Sequence, residues 1–174
     1  MNFQLKEAIE ILERTPKTLQ HLLDGLSNSW ITCNEGEATW NAFDIVGHLI
    51  EGEKHNWIPR IEMIITKGET ETFSPFDRFT QLQQNIGKTI EQLLEEFVKL
   101  RQKNLEKLQC LVDSQTDLEQ TGVHPEFGIV KLREQISTWV AHDLDHLSQI
   151  TRVLAKRYQG DVGPWKEYLR ILKQ

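Results

Sequence analysis

Cysteine is scarce in this chain. Of 174 residues only Cys33 and Cys110 are cysteines, far apart and outside any CxxC pair. A disulfide framework is therefore excluded, and a reducing cytosol is the simplest setting. Positive charge is also in deficit: 20 Lys and Arg stand against 26 Asp and Glu, for a net charge of -6. The basic residues are scattered, which argues against a protein built to neutralise nucleic-acid phosphates. No apolar run approaches the roughly 20 residues of a membrane span. The opening Met1 to Glu10 has neither the basic start nor the apolar stretch of a signal peptide. Strand-like alternation, internal repeats, low-complexity tracts and linkers are missing as well. These absences describe a soluble cytoplasmic protein, one domain over residues 1–174, with no nucleic acid or membrane as partner. A chain this long buries a core without help from disulfides or structural metals, so a metal here can be functional.

What is present is helical periodicity. Phe3, Leu5, Ala8, Ile9, Leu12, Leu19, Leu22 and Leu23 recur at helical intervals, with Pro16 predicting a kink. A polar loop from Ser27 to Trp40 leads to a second helix over about Ala42 to Lys67, whose Pro59 predicts another kink. A third helix is expected to carry Phe79, Leu82 and Ile86 on to Leu111, as scaffold. The polar stretch from Asp113 to Gly128 reads as a crossing loop, and a fourth helix runs from Leu132 to about Tyr158. Pro164 predicts a short terminal helix packed on the bundle. Four long amphipathic helices in one domain imply an all-α helical bundle.

The chemistry is concentrated in histidine. His142 and His146 are four residues apart, so they share one helix face, at the edge of a stripe containing Ile136, Trp139, Ile150 and Val153. His48 borders the apolar sector of the second helix, with Glu51 and His55 three and seven residues further along the same flank. Three histidines supply the ligand count of a catalytic metal site and leave a position open. Glu51 is the candidate general base, one turn from His48. Asp143 falls within an apolar stripe and needs a partner. It either accepts from the outer nitrogen of a histidine or pairs with a lysine or arginine of a neighbouring helix, the second being preferred. His55, His21 and His124 read as rim, surface or loop residues, His124 being able to cover the site. Trp40 and Trp57 are candidates to line a pocket, and Cys33 has no nearby basic residue to make it a nucleophile.

The segments Trp40-Asn41-Ala42-Phe43-Asp44-Ile45-Val46-Gly47-His48-Leu49 and Trp139 to Ile150, with its HxxxH, resemble the two ligand-bearing motifs of the DinB superfamily. The Val123-His124-Pro125-Glu126-Phe127-Gly128 run and the Val162-Gly163-Pro164-Trp165 tail are similar to members near the YfiT group. The resemblance implies a four-helix bundle of up-down-down-up topology. It implies a divalent metal, zinc or nickel, on His48, His142 and His146, and a homodimer. It further implies a small-molecule substrate: transfer of a low-molecular-weight thiol of the bacillithiol type, or hydrolysis by metal-bound water. A non-catalytic metal-binding or dimerisation module is the reading of a different class.

Overall fold

A computed structural model describes residues 3–173. The elements, in chain order, are α1 (Leu5–Leu23), α2 (Asn28–Ile31), α3 (Ala42–His55), α4 (Trp57–Lys67), α5 (Gln81–Gln84), α6 (Ile90–Leu111), β1 (Thr121–His124), β2 (Gly128–Lys131) and α7 (Leu132–Lys156). Two short 3-10 turns come after them, Gly163–Glu167 and Arg170–Leu172.

Two clusters of buried side chains fix the directions of the helices. One gathers Leu19 and Leu23 of α1, Ile45 and Leu49 of α3, Leu93 and Phe97 of α6, and Ile150 and Val153 of α7. The other gathers Ala8 and Leu12, Trp57 and Ile61, Leu105 and Leu108, and Ile136 and Trp139. The late part of α1 and the late part of α7 thus share an end with the early parts of α3 and α6. Hence α1 and α7 run one way, and α3–α4 and α6 run the other, which is the up-down-down-up order. Ion pairs between Lys54 and Glu96 and between Lys107 and Glu62, each at 2.8 Å, track the parallel course of the two middle helices. No helix among the described residues is long and apolar enough to cross a membrane.

Several boundaries differ from the sequence expectations, each for a local reason. The second helix is two, α3 and α4, broken at Asn56 (φ -112°, ψ -65°). Pro59 lacks an amide hydrogen and its ring crowds the carbonyl four residues back, so a regular helix cannot pass from His55 into Trp57. The third helix begins at Ile90 rather than near Phe79. Thr89 caps it: its side chain accepts from the Gln92 amide at 3.3 Å while Gln92 Oε1 accepts from the Thr89 amide at 2.9 Å. Phe79 and Ile86 are left exposed. The crossing loop holds an antiparallel hairpin, with Thr121 opposite Lys131 and His124 opposite Gly128. Four-residue strands are too short to show alternation. The tail forms 3-10 turns of which only Leu172 is buried, with Trp165 and Tyr168 exposed. Pro16 lies within α1 without interrupting it.

Candidate metal centre

The site begins with two caps. Asn41 Oδ1 accepts from the Asp44 amide at 2.9 Å and Asp44 Oδ2 accepts from the Asn41 amide at 3.2 Å, so α3 starts at Ala42, six residues before His48, with its first turn fixed. At the start of α7 the Lys131 amide donates to Glu134 Oε2 at 2.9 Å. Helices α3 and α7 run antiparallel, which brings His48 level with the turn that carries His142 and His146.

The three rings converge through one kind of atom. His142 Nε2 lies 3.2 Å from His48 Nε2 and 3.1 Å from His146 Nε2. Among the described residues this is the one group of three or more His, Cys, Asp or Glu side chains compact enough to hold a metal ion. Burial favours the uncharged rings: it lowers the pKa of His48 to about 4, helped by His146 and Arg78. Burial likewise lowers that of His142 to about 2, with His146, His48 and two arginines adding to it. His146 is lowered by burial too, partly offset by Gln149 and two aspartates. All three are neutral at pH 7, the form in which imidazole binds a metal.

The hydrogen bonds of the three rings leave room for an ion. His146 Nδ1–H donates to Gln149 Oε1 at 2.8 Å, which leaves a bare lone pair on its Nε2. His142 Nε2 faces two other ring nitrogens, and a neutral ring has at most one hydrogen to offer there. The three nitrogens therefore cannot satisfy one another. A divalent ion with bonds of about 2.0–2.1 Å in tetrahedral geometry wants donor separations of about 3.3 Å, close to those present. The outer nitrogens of His48 and His142 have no hydrogen-bond partner among the described residues. Aromatic contacts position those rings instead: Trp40 and Phe76 lie 4.9 and 5.6 Å from His48, centroid to centroid, and Trp57 lies 5.0 Å from His142.

The histidines open into a cleft of about 470 Å³, a size suited to a small molecule, and Trp40, Trp57 and His124 are among its lining. His124 is not part of the cluster. Its Nδ1 accepts from the amides of Glu126 and Phe127, and its ring stacks on Phe127 at the hairpin tip. His21 and His55 are exposed. Glu51 is buried, but its carboxylate lies 3.5 Å from Lys54 and 3.6 Å from His55, and it is not among the residues lining the cleft. Burial raises the Cys33 thiol pKa, and both cysteines are free.

Asp143 has the ion-pair partner that sequence reasoning preferred. Arg101, 1% exposed, gives Nη1 and Nη2 to Asp143 at 2.6 and 3.0 Å. It gives Nε and Nη2 to Glu53 Oε1 at 3.1 and 2.8 Å, and Nη1 to the carbonyl of Leu12 at 2.8 Å. All five guanidinium hydrogens are thereby used. Asn104 and the Trp139 indole complete the shell of Glu53. The Leu12 carbonyl is the one left unpaired by Pro16, four residues on, so Arg101 repairs the gap and α1 continues. Arg101 and Glu53 escaped the sequence reading. A signal existed: Leu49-Glu53-Trp57, Phe97-Arg101-Leu105 and Trp139-Asp143-Leu147 each put a charge one turn into an apolar stripe.

The family model of the DinB superfamily matches residues 11–150, which include all three histidines. The chain belongs to the DinB superfamily. A relative within reach of this DinB-superfamily chain is a protein of Oceanobacillus iheyensis named "Putative metal-dependent hydrolase", 25% identical over 90% of this chain and 89% of its own length. Among solved structures, YfiT from Bacillus subtilis, described as a probable metal-dependent hydrolase with an unusual four-helix bundle topology, superposes with a TM-score of 0.70 at 22% identity. It covers 89% of this chain and 87% of its own. TT2238, a four-helix bundle protein, gives a TM-score of 0.56 at 19% identity, over 85% and 98% of the two chains. Both likenesses concern the fold.

Proposed function

We propose that this chain is a metal-dependent enzyme in which His48, His142 and His146 hold a divalent ion, zinc or nickel, and that it transfers a low-molecular-weight thiol to an electrophile. The observation that carries it is the meeting of three neutral Nε2 atoms, unable to satisfy one another, at the wall of an open cleft. An ion bound there lowers the pKa of a thiol or water beside it. The chain's own contributions are separate. Gln149 holds the His146 ring in the ligating tautomer. Trp40, Phe76 and Trp57 orient the other two rings and give the cleft beside them aromatic walls. Arg78, whose charge bears on both His48 and His142, favours the thiolate over the thiol. The sulfur then bonds to the electrophilic carbon as that carbon's bond to its leaving group breaks; the leaving group departs with the bonding pair, and the thiol proton goes to solvent.

Hydrolysis, with water in place of the thiol, is the second reading, supported by the names of the Oceanobacillus and Bacillus relatives. Metal-loaded protein incubated with electrophiles, with and without a panel of thiols, separates the two. Thiol-dependent conjugation is expected; turnover that ignores thiol would assign the site to hydrolysis. We also propose a homodimer, checked by sedimentation: a mass of one chain at micromolar concentration would overturn it.

A further inference from the structure

The cleft extends past the histidines to a second buried arginine, and that arginine is unlike Arg101. Arg60, on α4, is only 8% exposed. Its guanidinium rests on the Phe73 ring, 5.3 Å from the centroid, and has one long hydrogen bond, Nη2 to the Ser74 carbonyl at 3.4 Å. No carboxylate among the described residues lies within ion-pairing distance of it, and Glu126, exposed at the hairpin tip, acts on it only from further away. A buried cation without a counter-charge is costly. Two buried amides line the same cleft with an unpartnered atom each, Gln135 Nε2 and Asn56 Oδ1.

These groups share one region. Trp57 stacks on Trp139, planes 8° apart and centroids at 5.7 Å, and α4 runs antiparallel to α7. The turn after Trp57, with Arg60, is therefore level with the turn before Trp139, with Gln135. Seven residues separate Gln135 from His142, about 10 Å along the helix.

We infer that Arg60 and Gln135 form an oxyanion subsite, so that the substrate or its thiol partner carries a carboxylate or phosphate some 10 Å from the atom that meets the histidines. A guanidinium fork and an amide N–H match either group, and Arg78 draws the anion to the mouth of the cleft. The inference rests on the proposed function for the reacting end, but the subsite is testable apart from it. Full-length protein, metal-stripped and metal-loaded, is titrated by calorimetry with glutarate, inorganic phosphate and neutral glutaramide, beside Arg60→Met and Arg60→Lys. Glutarate or phosphate should bind both forms, at least tenfold more tightly than glutaramide, the tighter of the two naming the head group. Arg60→Met should lose at least tenfold, and Arg60→Lys part of that, with circular dichroism and metal content unchanged. Anion binding with no metal uptake would sink the proposed function and leave the subsite standing. Anion binding confined to the metal-loaded form, or equal in Arg60→Met and wild type, would overturn the subsite.

Discussion

At the scale of single residues, the interior separates two kinds of charge. Arg101 is saturated, so removing it strands Glu53 and Asp143 in the core. Arg101→Met should cost about 3–5 kcal/mol in urea unfolding. Adding Glu53→Gln and Asp143→Asn to that variant should recover part of the loss, since the three act as a unit. Glu51 is a different case. A proton-moving role would require its carboxylate to leave Lys54 and His55. Glu51→Gln tests it: a fall in turnover of tenfold or more with metal retained supports the role, and an unchanged rate makes Glu51 structural. The ligand candidates were legible in the sequence because helical spacing alone puts His142 and His146 on one face and His48 at the rim of the apolar sector of another helix, and the family resemblance pointed to the same three. Arg60, Gln135 and Phe76 were not. They come from α4, α7 and a loop, and what joins them is the antiparallel course of two helices, which has no local signature.

At the scale of elements, the break between α3 and α4 matters most. Pro59 ends one helix, and the restart at Trp57 lets the indole stack on Trp139 and meet His142 edge-on. Gly52 makes room for it: a Cβ there would lie 2.9 Å from Trp57 Nε1. Alanine gains about 1 kcal/mol over glycine in a helix, but crowding a buried ring costs about 1–3 kcal/mol. Gly52→Ala should therefore come out destabilised, and with a shifted tryptophan fluorescence, by thermal and optical unfolding. A clear gain in stability would show that the ring is free to move. The sequence announced this break through Pro59, although as a kink. The opposite happened at Pro16, where α1 runs on because Arg101 of another helix takes the freed carbonyl. Proline marks where a backbone bond is lost, and only tertiary partners decide whether the helix survives the loss. The hairpin was hidden for a related reason, since its four-residue strands are fixed by mutual pairing rather than by pattern.

At the scale of the whole molecule, the up-down-down-up order sets α3 and α7 against each other and holds three neutral histidines in the interior. In metal-free protein this has a pH signature. The folded-state pKa values of His48 and His142 lie below the ordinary 6.5, at about 4 and about 2. The unfolded chain therefore takes up protons first. Stability should be full above pH 6.5 and fall progressively as the pH drops toward 4 and below. His48→Gln should flatten the upper part of that decline in a melting series from pH 7 to 4. Bound metal should raise the melting temperature with the logarithm of its free concentration over Kd, an effect reversed by chelation. The most direct test of the central claim is elemental analysis of the purified protein beside His48→Ala, His142→Ala and His146→Ala. One divalent ion per wild-type chain and loss of stoichiometric metal from each variant are predicted; full retention by all three variants would contradict the three-histidine centre.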